Sequence, residues 1–170
     1  MDFPPSEEVQ LEARVLRARL EAETGDSARA VELLDALPAE VKEGTDLRLV
    51  RVRLLLKEGR ADEAVAELER LQAREPANVE LGLELSGVLA SLGRPVAAVD
   101  ALRRLKPFVS SPAVRSSVFQ REGNLWATQE RWSRAIEAFR SASRIEPTRA
   151  DLHYRLAELF ERMGSASSAL

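Results

Sequence analysis

The sequence predicts an all-α fold, a solenoid in which one helical hairpin is copied along the chain. Three observations carry this. Landmark residues recur at a single spacing: Gly25, Gly59 and Gly93 lie 34 residues apart, as do Ala30, Ala64 and Ala98, Leu34, Leu68 and Leu102, and Leu37, Leu71 and Leu105. Several columns sharing one period are the mark of a repeat architecture. The composition is rich in Leu, Ala, Glu and Arg, with aromatics at only 5%, as expected where helices dominate. Glycines and prolines fall between the apolar segments, where helices stop and start.

Taken in order, the first hairpin runs from about Ser6 to Leu37, behind Pro4 and Pro5. Ser6 is placed to cap its first helix, Gly25 to turn it and Asp26 to cap its second. Pro38 to Gly44 links to the second hairpin, Thr45 to Glu75, which Gly59 turns and Pro76 stops. Asn78 is placed to cap the third, whose turn is Gly93-Arg94-Pro95, a helix end followed by a helix-start proline. The step from Ala98 to Ala135 is 37, so three extra residues lie between. They fall in Lys106 to Pro112, KPFVSSP, read as a longer loop that lets the next helix begin at Ala113 rather than as a docking loop displaying Phe108; loop insertions cost little. The fourth hairpin covers 116–149 and carries Glu130 where the other turns have glycine. Thr148 is placed to cap a fifth first helix, with Asp151 in capping-box position and Gly164 as its turn. A single domain over 1–170 is expected, with repeats at about 11–44, 45–78, 79–115, 116–149 and a partial 150–170.

The fourth hairpin also carries a family resemblance. Phe119, Gly123 and Trp126, followed by Ala135, Phe139 and Pro147, resemble the tetratricopeptide signature W-x2-L-G-x2-Y, A-x3-F, P. Glu122 stands where that family has Leu. The resemblance implies a right-handed superhelix whose first helices line a concave face, and a non-catalytic scaffold that binds another protein, as a peptide or helix, in that groove. It also allows a second class, a regulatory or substrate-recruiting arm of a larger enzyme such as a glycosyltransferase or kinase. An RNA-binding helical repeat is a third class.

Close helix crossings need small residues. Ala18, Ser86, Gly123 and Ala157 form one crossing column, with Val52 its bulky member; Ala30, Ala64, Ala98, Ala135 and Ala169 form the other. Leu20, Leu54, Val88, Leu125 and Leu159 are expected to fill the space between, with Trp126 and Trp132 as the largest core pieces. Columns that packing does not use are the candidate binding surface. One reads Val15, Leu49, Leu83, Gln120, Tyr154; the next Arg19, Arg53, Gly87, Asn124, Glu158; a third Ala22, Leu56, Ala90, Ala127, Glu161. The partner-binding residues expected from these are Val15, Arg19, Leu49, Arg53, Leu56, Leu83, Gln120, Asn124, Tyr154 and Glu158. An apolar floor edged by arginine suits a partner with apolar anchors and acidic flanks. The alternative is that Leu49 and Leu83 only touch neighbouring repeats. The co-chaperone branch of the family grips C-terminal carboxylates with lysine and asparagine at inner positions. This chain has Val15, Arg19, Leu49 and Arg53 there, so that clamp is absent.

Net charge is −3, so bulk attraction to nucleic acid or an acidic membrane is not expected. Arg14, Arg17 and Arg19 recur as Arg48, Arg51 and Arg53; glutamates in the same repeats favour paired heads and stems laid on apolar surface. With Lys42, Lys57 and Lys106 the only lysines, the arginine bias suggests a GC-rich, bacterial genome. There is no cysteine, so neither disulfide nor thiolate site arises. The start MDFPPSEEVQ has no signal-peptide pattern, and no membrane insertion is expected. A cytoplasmic setting is expected, or a periplasmic one if the chain is a fragment of a larger protein.

No catalytic, cofactor or metal residues are expected. His153, the single histidine, has only Asp151 near it, and residues two apart on a helix do not face each other. The end ERMGSASSAL lacks a polar capping helix, leaving Leu156, Leu159, Phe160 and Met163 without cover. The expectation is that the natural protein continues, or that it forms a homo-oligomer through this end.

Overall fold

The computed structural model describes residues 7–24, 27–38, 41 and 44–168. No strand occurs among them. The helices are α1 (Glu7–Thr24), α2 (Ser27–Asp35), α3 (Thr45–Lys57), α4 (Ala61–Arg74), α5 (Val79–Ser91), α6 (Pro95–Leu105), α7 (Pro112–Ala127), α8 (Trp132–Ile145) and α9 (Ala150–Ser168). The chain divides into two compact units, Met1–Leu71 and Gln72–Leu170. The expected cap at Ser6, the turn at Gly25-Asp26, Ala169 and part of the 38–44 link lie outside the described residues.

In the first unit α1 pairs with α2, and α2 lies on α3. Ala18, Ala30, Leu34, Leu37, Leu47 and Leu54 form its core, so the alanine and leucine columns face inward as their spacing requires. Leu20 does not: it is 58% exposed, with Leu16 also exposed. Its column mate Leu54 is covered by the core that includes Leu34 and Leu37, and no described helix offers α1 that cover. A Schellman turn joins α3 to α4. Gly59 takes φ +74°, and the Arg60 and Gly59 amides donate back to Leu55 and Leu56 at 2.8 and 3.2 Å. Arg48 on α3 donates to Glu67 on α4 at 2.9 Å, both largely buried.

In the second unit α5 pairs with α6 and α7 with α8, while α9 rests on α8. The Asn78 side chain accepts from the Leu81 amide and caps α5. At the next turn Gly93 takes φ +69° and Pro95 opens α6. The same turn recurs between α7 and α8 without glycine: Glu130 adopts φ +57°, and the Arg131 and Glu130 amides donate to Trp126 and Ala127, both at 3.0 Å. The insertion folds as one 3-10 turn, Lys106–Phe108. Val109 then plugs into a core of Leu102, Leu105 and Val118, and Phe108 stands exposed beside it. A second core gathers Trp126, Phe139 and Ala142 with Leu152 and Leu159.

Five further expectations need correction. Gly164 does not turn a fifth hairpin; it lies inside α9, which runs on to Ser168. Ala157 is exposed, because no second helix crosses α9 among the described residues. Trp132 is only half-buried, packing on the edge of the core. Thr148 and Asp151 form no capping box; α9 begins at Ala150 and the Asp151 carboxylate takes the Arg149 guanidinium instead, at 2.6 Å. Leu159 is buried and Leu156 and Met163 are partly covered by α8. Phe160 remains 41% exposed, with Arg140 over its ring at 5.3 Å.

Candidate functional site

Each unit presents its own first-helix surface. In the first, Val15 and Ala22 on α1 pack partly into the core, while Arg19 is exposed and lies 4.0 Å from Asp46. On α3, Leu49, Arg53 and Leu56 follow at intervals of four and three, which places them on one stripe. Leu49 and Leu56 are half-buried and Arg53 is exposed. At the end of this surface Lys57 donates to the Ala22 carbonyl at 3.0 Å, tying α3 to α1.

In the second unit the expected residues divide by how far packing has consumed them. Leu83 packs against the Leu102–Val118 core. The Gln120 amide oxygen accepts from the Arg149 guanidinium, so its oxygen ties α7 to the turn between α8 and α9. Glu158 accepts from Arg155 at 2.6 Å and from Arg162 at 3.0 Å; these two cations hold its carboxyl below the usual range. Asn124 and Tyr154 are exposed, Tyr154 at 72%. Asn124 and Glu158 meet at a cavity of about 340 Å³ whose wall includes Trp132, Phe139 and Leu159. Sequence spacing brought Asn124 and Glu158 to one side of their helices. It missed the half-exposed Trp132, whose place in the turn reads as core.

The arginines are only partly paired. Arg48 binds Glu67, Arg51 binds Asp35 and Arg19 approaches Asp46, whereas Arg14, Arg17 and Arg53 have no carboxylate partner among the described residues. His153 is exposed, its Nε2 2.8 Å from the Pro147 carbonyl, and Asp151 is turned to Arg149. No group of three His, Cys, Asp or Glu that could hold a metal occurs among the described residues. No described helix is long and apolar enough to cross a membrane.

The family model described as Tetratricopeptide repeat matches residues 55–116. No curated protein matches the chain. Among solved structures, MamA MSR-1 is 23% identical with a TM-score of 0.64, covering 95% of this chain and 91% of that one. MamA AMB-1 is 24% identical with a TM-score of 0.63, covering 95% and 93%. A further MamA crystal structure is 16% identical with a TM-score of 0.70, covering 94% and 85%. At such identities the likeness speaks to the fold, an all-α solenoid of helical hairpins. The tetratricopeptide match covers residues 55–116, and over nearly the whole sequence the chain shares the helical-hairpin fold of these solved structures, so it is similar to tetratricopeptide-repeat proteins.

Proposed function

We propose that this protein is a non-catalytic scaffold that takes a partner helix or extended peptide on its first-helix surfaces, in a cytoplasmic setting. The observation that carries the reading is the α3 stripe. Leu49 and Leu56 keep part of their apolar surface open on either side of the exposed Arg53, which suits an apolar anchor with an acidic neighbour. Val15 and Arg19 extend the same chemistry on α1. In the second unit Asn124, Tyr154 and the arginine-flanked Glu158 supply a more polar counterpart, with Leu83 and Gln120 lending shape rather than free groups. Self-association through the open side of α9, where Tyr154 and Phe160 stand exposed, belongs to the same reading.

The test is quantitative capture from the source cell with wild type and with Leu49→Glu/Arg53→Glu. Neither residue belongs to a buried core, so helicity by circular dichroism should be retained. Captured partners should fall by about tenfold or more, as expected when an anchor and its neighbouring charge are both lost. Equal capture by the folded variant would remove the α3 stripe from the reading.

A further inference from the structure

A second cavity, of about 330 Å³, lies among α6, α7 and α8. On α7 it is built from Phe119, Glu122 and Trp126. At 100° per residue these lie roughly opposite Gln120 and Asn124, so the cavity is separate from the first-helix surface described above.

Its floor is an unusual element for a helical repeat. Glu122 is 5% exposed and sits where a buried leucine is expected. One of its carboxylate oxygens accepts from Arg103 Nε at 3.2 Å and the other from Lys106 Nζ. The buried carboxylate therefore fixes two cationic arms at the cavity wall. Arg103 spends only its Nε on that bond. Arg134, from α8, has no carboxylate partner among the described residues. Both guanidiniums lie against the Trp126 ring, at 5.7 and 4.7 Å from its centroid, and Lys106 lies 4.3 Å from that of Phe119. Aromatic faces hold the arms in place without using their N–H donors. Around the cavity Arg103, Lys106 and Arg134 stand against Glu122 and Glu137, leaving one net positive charge.

We propose that this cavity is a subsite for a side-chain carboxylate of an acidic partner peptide. Its free donors come from Arg103 and Arg134, and Trp126 forms the wall beside them. Guanidinium groups already ordered by other contacts lose little freedom when they form charge-assisted bonds to an incoming carboxylate. A single net positive charge matches one carboxylate, whereas a phosphate dianion would leave an excess negative charge next to the buried Glu122. The site shares no residue with the first-helix surfaces and stands or falls apart from them.

The experiment uses the full chain carrying Trp132→Phe, which leaves Trp126 as the only indole. N-acetylated hexaglutamate is titrated at low salt, with binding followed by Trp126 emission and by calorimetry in parallel. Hexalysine and inorganic phosphate serve as the other arms. The expected result is a saturable Trp126 response to hexaglutamate alone, weakened by added salt. Arg134→Gln and Arg103→Gln should each weaken it by about tenfold, the scale of losing one charge-assisted hydrogen bond. Should either variant fold poorly, Arg134→Lys keeps the charge and removes the planar fork, and should lose severalfold. No response to hexaglutamate, heat without a Trp126 response, wild-type affinity in the folded Arg134 variants, or tighter binding of phosphate would each overturn the assignment.

Discussion

The hairpins α5–α6 and α7–α8 belong to one compact unit and occupy the same repeat positions, yet they solve the same packing problem with different chemistry. Matched by the 37-residue step, Leu85 stands opposite Glu122, Ser86 opposite Gly123, and Gly93 opposite Glu130. Leu85 is fully buried and Glu122 nearly so. In the earlier hairpin the position is satisfied by burying apolar surface. In the later one a buried carboxylate is paired with two cations that stay partly in water, Arg103 and Lys106. The difference teaches that a repeat position dictates burial, while its neighbours decide which chemistry can be buried there.

Exchanging those two residues gives the largest expected effect. Leu85→Glu should destabilise by about 3–5 kcal/mol, since it buries a carboxylate without a fixed cation. Glu122→Leu should be neutral or stabilising by about 1–2 kcal/mol. Arg103 and Lys106 keep part of their surface in water, and buried ion pairs often replace well with apolar groups. Urea denaturation of both variants checks this; equal destabilisation would mean that Glu122 carries a structural role Leu85 does not.

The crossing column sharpens the comparison at smaller scale. A Cβ built on Gly123 would lie 2.6 Å from the Phe139 ring carbons, so the helices approach too closely for any side chain. Gly123→Ala should overpack the crossing by about 1–3 kcal/mol. That exceeds the roughly 0.5–1 kcal/mol alanine gains over glycine inside a helix. Ser86 already carries a Cβ at the matching position, so Ser86→Ala should change thermal stability little. A stabilised Gly123→Ala would show that α7 and α8 can part without cost.

The turns should give the smallest change, in opposite directions. Glu130 holds a left-handed conformation that Gly93 adopts freely. Glu130→Gly should therefore stabilise by about 1 kcal/mol and Gly93→Ala should destabilise by a similar amount. Paired thermal melts check the signs.

Much of this was legible because a repeat writes its packing into a fixed period. The 34-residue columns identified Ala18, Ala30, Ala64, Ala98 and Ala135 as crossing residues, and all are fully buried. They also identified Leu34, Leu68, Leu102, Leu37, Leu71 and Leu105 as core. Periodicity failed where a column position lacked the neighbour that the others share. Leu20 and Ala157 have the right residue types yet are exposed, because burial belongs to the pair and not to the residue. Gly164 reads as a turn, but a lone glycine does not end a helix unless the next segment has a surface to fold back on.

Sequence alone determined the hairpin, its period, the turns at Gly59 and Gly93 and the small residues at its crossings, since these follow from local backbone preference and repeated spacing. Only tertiary structure decided the rest: that Glu122 is buried, that Arg103 and Lys106 from the preceding helix and turn reach it, and that Arg134 shares the Trp126 ring. Charges separated by 16 and 19 residues leave no periodic trace. Their meeting depends on where α6 lies against α7, which no local pattern encodes.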